Sequence, residues 1–208
     1  MRKWQDFLKR VERKGWYLES EDDHMIVFSN PSYTKGNLYF TGATQEQILE
    51  TIDDANYEMA FEFTLKWEGE KSYDKYGGET YFGITKRYFP KQYTTISKME
   101  QVEDKVKYAK EFYKKNFWDK YHCNEVDYPL DILIFDTAVN IPKAIKKGYK
   151  VLSDLSSQEK SAIVFLTMRI FEYLKRVNKN KGKRKFLRGW LNRCKSWYDK
   201  FIKEKNDT

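Results

Sequence analysis

Apolar side chains recur at helical spacing over residues 3–14, where Trp4, Phe7, Leu8 and Val11 share one stripe and predict an amphipathic helix. Three short runs with strand character follow, around residues 16–19, 25–29 and 37–41, parted by polar stretches at 20–23 and 30–36. The helical period returns from Thr44 to about residue 55, with Ile48 and Ile52 one turn apart. Residues 1–56 thus form a small α-β-β-β-α extension, and residues 57–208 a second unit. The stretch 57–67 fits two patterns. Phe61, Phe63, Leu65 and Trp67 alternate as in a strand, whereas Tyr57/Phe61/Leu65 and Ala60/Phe63/Trp67 would make two faces of a buried helix.

A Gly- and Tyr-rich segment, 69–85, reads as a loop with a short hairpin. Helices are predicted over 102–121 and 130–140. Ser156 with Glu159 forms a capping-box signature that opens a helix reaching to about residue 177. The basic segment 179–185 leads into a last helix over 186–203. The body is mostly α with a small β element.

The net charge of +8 favours a polyanionic partner, whether nucleic acid, an anionic membrane or an anionic wall. Cys123 and Cys194 stand far apart and read as free thiols. With only His24 and His122 beside them, no local zinc motif and no Cys–His or Ser–His–Asp system can be drawn, so neither metal nor cofactor is expected. The first 16 residues are charged throughout, unlike a Sec signal, and no stretch is apolar enough to span a membrane. Synthesis in the cytosol is expected, with an extracellular substrate reached by another route.

The informative stretch runs from Trp67 to Thr85. In it Glu68 directly follows an apolar run and precedes Gly69. Partial burial beside Trp67 would raise its pKa and keep it protonated, as a general acid must be to protonate a glycosidic oxygen. Asp74 and Thr80 could stand across a cleft from it, holding the second catalytic group or a water. The plainer reading is a helix that ends in a solvated Glu before a glycine turn. The residues alone leave both open.

The wording of the segment resembles glycoside hydrolase family 108, the lysozyme-like phage endolysins and secretion activator proteins. Glu68-Gly69, then Gly77-Gly78-Glu79-Thr80-Tyr81-Phe82-Gly83-Ile84-Thr85, follow the family's Glu-Gly-Gly and Gly-Gly-x-Thr-x-x-Gly-Ile-Thr. Phe135-Asp136-Thr137-Ala138-Val139-Asn140 resembles its Phe-Asp-x-Ala-Val-Asn. Phe186-Leu187-Arg188-Gly189-Trp190-Leu191-Asn192-Arg193 is similar to its closing Phe-Leu-x-Gly-Trp-x-Asn-Arg. Glu70 replaces the second glycine, Asp74 sits three residues before Gly77 rather than two, and Ile141-Pro142 stands where the family has Gly-Pro.

The resemblance implies a mostly α, lysozyme-like α+β fold and N-acetylmuramidase activity on bacterial peptidoglycan, with Glu68 as catalytic acid. It also implies Asp74 and Thr80 as the pair that holds the attacking water. Tyr81, Thr85 and Asn140 are the candidate substrate-binding residues; Asn140 would donate to sugar acetamido groups or bond internally. Asp136 is expected to bond internally and Trp190 to lie in the core. A phage endolysin released through a holin, or a virion-borne lysozyme, fits the missing signal, with residues 1–56 as a wall- or virion-attachment appendage. No nucleic-acid partner is expected. The competing class is a non-catalytic module that binds peptidoglycan or nucleic acid.

Overall fold

The computed structural model describes residues 2–74, 78–152 and 158–203. The chain begins with α1 (Arg2–Arg13), which buries Phe7 and Val11 as the stripe predicts. Strands β1 (Tyr17–Glu21), β2 (Ile26–Ser29) and β3 (Leu38–Phe40) form an antiparallel sheet in that order. Leu18 pairs with Phe28 and Val27 with Tyr39, and Phe28 is sealed between Phe7 and Phe40.

Helix α2 (Gln45–Glu68) resolves the ambiguity at 57–67 in favour of a helix. Thr44 caps its start: its side chain accepts from the Gln47 amide while the Gln47 side chain accepts from the Thr44 amide. The helix then runs unbroken for 24 residues to Glu68, through the boundary read at residue 56. Its middle is buried on nearly every side, by Asn56, Tyr57, Met59, Ala60, Phe61, Phe63 and Thr64. A helix so enclosed shows no single apolar stripe, which is why strand and helix periods both fitted.

Asn56 joins three elements at one buried point. Its Oδ1 accepts from Trp16 Nε1 at 2.9 Å, and its Nδ2 donates to the Lys14 carbonyl at 3.0 Å and to Asp131 Oδ2 at 3.1 Å. The N-terminal corner, α2 and the later helix carrying Asp131 are thereby tied together, and the buried apolar residues of both sequence units make one continuous core.

After α2 comes a second antiparallel sheet, β4 (Lys71–Asp74), β5 (Gly78–Tyr81) and β6 (Ile84–Thr85), more structure than the expected loop and short hairpin. Helix α3 (Pro90–Ser97), which the sequence pattern did not predict, and α4 (Val102–Tyr113) follow. The helical path continues as a π-helical turn over Lys114–Trp118. Helix α5 (Leu130–Asn140) passes through the centre against α2, with Leu130 to Ala138 all buried. Helices α6 (Ile145–Leu152), α7 (Gln158–Lys179) and α8 (Arg184–Tyr198) close the body. The Ser156–Glu159 capping box lies outside the described residues. The protein is mostly α with two small sheets, the α+β class expected, and a hairpin stands beside Glu68. Among the described residues no helix is long and apolar enough to cross a membrane.

Candidate active site

Glu68 is the last residue of α2, and Gly69 stops the helix by taking φ +69°, with its amide donating to the Leu65 carbonyl. The chain then turns directly into the second sheet. Its turn between β5 and β6 has Phe82 at φ 47° and Gly83 at φ 77°, a two-residue hairpin turn closed by the Tyr81–Ile84 pair. Gly83 is needed there twice over. Besides its positive φ, a Cβ on it would meet the Tyr113 hydroxyl at 2.3 Å and Glu68 Oε2 at 3.0 Å.

Tyr113 is fully buried and donates to the Phe82 carbonyl at 2.9 Å, clamping the turn over the end of α2. Burial first, then the neighbouring Glu68, pushes its hydroxyl well above the ordinary value, so it serves as a neutral donor.

The Glu68 side chain keeps 20% of its exposure, the partial burial that was expected, and it also meets an arginine that was not. Oε1 accepts from Arg193 Nη1 at 2.8 Å, from the far side of the chain. Arg193 is 3% exposed and is itself held by Asp136, through Nε at 3.0 Å and Nη2 at 2.5 Å to Oδ1. Asp136 is fully buried and accepts also from Thr64 Oγ1 at 2.9 Å and Arg169 Nη1 at 2.5 Å. Burial alone would push the Asp136 carboxyl up; Arg193 and then Arg169 outweigh it and hold it well below the usual carboxylate range. Asp136 thus bonds internally, as expected, but its work is electrostatic. It shares its charge between Arg193 and Arg169 and holds the guanidinium of Arg193 against Glu68.

The cluster continues outward. Arg169 Nε donates to the Tyr173 hydroxyl at 2.8 Å, and that hydroxyl donates to Asn140 Oδ1 at 2.5 Å. Asn140 is half-buried at the end of α5, and among the described residues its Nδ2 has no acceptor, so both of its readings keep a place: an internal bond at one end and a free donor at the other.

The remaining candidates sit on the second sheet and are engaged locally. Thr80 is buried; its Oγ1 shares a 2.6 Å hydrogen bond with Ser72 Oγ across the β4–β5 pair. Asp74 ends β4 opposite Gly78, two residues along from that pair, and its side chain lies outside the described residues. Tyr81 lies among cations, with Lys71 Nζ and Lys105 Nζ each 5.3 Å from its ring centre. Thr85 Oγ1 accepts from the Tyr88 amide at 3.2 Å. The structure therefore brings Gly83 to Glu68 and leaves Tyr81 and Thr85 with partners of their own.

Arg193, Arg169 and Tyr113 were not among the predicted site residues. Arg193 was visible as the last letter of the closing motif, but nothing in sequence joined it to Glu68, 125 residues away. Trp190, expected in the core, is only half-buried and stacks on Tyr173 with ring centres 4.9 Å apart. A surface cavity of about 370 Å³ between α2 and α4 is lined by Tyr33, Tyr57, Glu58 and Lys110 among others; it touches none of the motif residues, and Glu58 and Lys110 pair with each other. Among the described residues no group of three or more His, Cys, Asp and Glu gathers as a metal site.

Residues 61–141 match a family model described as Glycosyl hydrolase 108. No curated protein and no solved structure matches the chain. The matched stretch takes in Glu68, the hairpin and α5; α8 with Arg193 lies beyond it and meets it only in space. The match bears out, at family level, the resemblance to glycoside hydrolase family 108, and with it the class of enzyme.

Proposed function

We propose that this glycoside hydrolase is a lysozyme, an N-acetylmuramidase that cleaves the β-1,4 bond between N-acetylmuramic acid and N-acetylglucosamine in bacterial peptidoglycan. The observation that carries the reading is the different fate of the two Glu68 oxygens. Oε1 accepts from Arg193, and a guanidinium can only donate, so a proton on Glu68 sits on Oε2. Oε2 lies on the hairpin side against Gly83, where even a Cβ would come within 3.0 Å of it.

The acid then works as follows. Glu68 Oε2 gives its proton to the glycosidic oxygen as the bond to the anomeric carbon breaks. The carboxylate left behind keeps the Arg193 hydrogen bond, so its charge is met by a donor already in place. Water attacks the opposite face of the sugar and passes its proton to a base, the role that falls to Asp74 with Thr80 orienting the water. Asn140 Nδ2 is the donor offered to an acetamido carbonyl.

The net charge of +8 supports an anionic wall as the target. Release through a holin, or carriage in a virion, would bring the enzyme there, with residues 1–56 as the attachment appendage.

Clearing of a peptidoglycan suspension, with analysis of the released ends, tests the reading. New reducing sugar ends are expected, and Glu68→Gln should lower their rate at least ~10²-fold in a chain that still folds. New free amines would mean an amidase or peptidase. Binding without any release would leave a non-catalytic module.

A further inference from the structure

Charge is spread very unevenly along this chain. Residues 161–203 carry thirteen of its 39 Lys and Arg but only two of its 31 Asp and Glu, a net +11, which leaves the rest at −3. Both acids are engaged locally, Glu172 with Lys147 and Asp199 with Lys195. Two of the cations, Arg169 and Arg193, are buried on Asp136. From 173 to 198 there is no acidic residue, and eight cations fall within 175–188, where α7 turns back into α8 through Lys181–Lys183.

The apolar residues of the same hairpin form a surface. α7 and α8 pack as an antiparallel pair, with Tyr173 stacked on Trp190 across the contact. The next residue is 100° further around each helix. Antiparallel helices turn in opposite senses seen from one end, so Leu174 and Leu191 emerge on the same side. Steps of four and seven residues add Ile170 and Ile163 on α7, and Leu187 and Tyr198 on α8. Ile163, Leu174, Leu191 and Tyr198 are 36–42% exposed, and Ile170 and Leu187 are half-buried. Phe171, 64% exposed, stands on the outer flank of α7. The buried Phe165, Arg169, Arg193 and Trp197 point the other way, into the core, so the apolar row lies on the side of the pair away from Glu68. Lys175 on α7 and Arg184 and Arg188 on α8 are exposed along its edges.

We infer that the outer face of the α7–α8 pair, centred on Leu174 and Leu191 and edged by Lys175, Arg184 and Arg188, docks in the plane of an anionic phospholipid bilayer. The cations meet lipid phosphates with their heads, while their stems lie along the apolar row as it enters the acyl boundary. A nucleic acid or a wall polymer would engage the cations and leave the apolar row in water. A second copy seated on this face would bring two segments of net +11 together. Docking leaves the Glu68 side of the protein directed away from the lipid. The inference stands apart from the cleavage reading, since none of these residues touches Glu68.

The test is flotation of the full chain with vesicles of equal parts phosphatidylglycerol and phosphatidylcholine, beside vesicles of phosphatidylcholine alone. Binding to the anionic vesicles should be at least ~10-fold stronger, and should weaken as salt shortens the Debye length from ~10 Å to ~3 Å. Arg184→Gln with Arg188→Gln, and separately Ile163→Ser with Leu174→Ser and Leu191→Ser, should each weaken it at least ~10-fold. The substituted apolar positions are exposed, so the melting temperature should hold. If it falls, Leu174→Ser alone is read, with a loss of at least ~3-fold expected. Insertion is read on Leu174→Cys carrying an environment-sensitive fluorophore, because Cys123 and Cys194 are buried. Its emission should move to the blue on anionic vesicles, and the same label on Tyr39→Cys should not move. No binding to anionic vesicles, equal binding to neutral ones, full binding by the apolar variant or an unmoved label at 174 each overturns the inference. So does retention on DNA or purified walls that anionic vesicles do not displace, which would assign the cations to a polymer. A dimer that covers the label without lipid would assign the face to a second copy, and overturns it too.

Discussion

Replacing Asp136 with asparagine takes away the anion that Arg169 and Arg193 share. Oδ1 receives Thr64 Oγ1 and Arg193, and Oδ2 receives Arg169 Nη1 at 2.5 Å, so either orientation of the new amide turns an N–H₂ toward a guanidinium. Arg169 is fully buried and has no other ion-pair partner among the described residues. Breaking a buried pair and leaving its cation uncompensated costs about 3–5 kcal/mol. At roughly 2–4 °C per kcal/mol for a chain of this size, the melting temperature should fall by about 6–20 °C at pH 7.

The pH dependence sharpens this test. Asp136 is held below its ordinary range in the folded state, so the unfolded chain takes up the proton first as pH falls. Its contribution is complete above about pH 4 and is lost progressively below. The gap between the parent and Asp136→Asn is therefore widest near neutrality and narrows in acid. Adding Arg169→Met should return part of the loss, because one orphaned cation leaves with it. Thermal and urea unfolding followed by circular dichroism give the numbers. A loss under about 1 kcal/mol at pH 7, or a gap that widens in acid, would refute the argument.

Asp131 should behave with the opposite sign. Burial pushes its carboxyl up to about 7, against hydrogen bonds from the Ile132 amide and Asn56, so its contribution is full below about pH 4 and lost as pH rises toward 7. Asp131→Asn should flatten the decline in melting temperature between pH 4 and 8, a change worth up to ~4 kcal/mol; an unchanged slope excludes Asp131 as its source. If Asp74 and Thr80 hold the attacking water, the first product carries an inverted anomeric centre by NMR, and Asp74→Asn abolishes turnover without weakening chitotetraose binding; a retained product removes them from that role. Changing Lys179, Lys181 and Lys183 to glutamine, with Lys185 left over the Phe186 ring, should slow lysis of whole walls at low salt and spare short neutral oligomers. Equal loss on both substrates would assign those lysines to the cleft instead of to steering.

Local signals were legible wherever a residue's role is played out among its neighbours in sequence. Thr44 and Gln47 mark the start of α2, and the apolar run at 130–140 gives α5 to the residue. α3 was missed although Pro90 stands at its first position and Tyr93 and Ile96 are buried one turn apart; the β-branched run Thr94-Thr95-Ile96 weakens the helical signal there. Glu68 and Gly83 could be chosen because a glycine-rich hairpin directly follows the helix end. Arg193 could not, because its value lies in a contact made by tertiary packing. The same holds for Trp190: its neighbours Leu187 and Leu191 suggest core, while the stack with Tyr173 that decides its position comes from another helix.

The ion pair across 125 residues also sets when the enzyme can exist. Glu68 is synthesised 125 residues before the arginine that fixes it, which belongs to α8. A growing chain therefore carries Glu68 without the partner that positions it until α8 has been made and docked. The same dependence works in reverse: whatever undocks α8 takes Arg193 away from Glu68 while leaving Glu68 itself untouched.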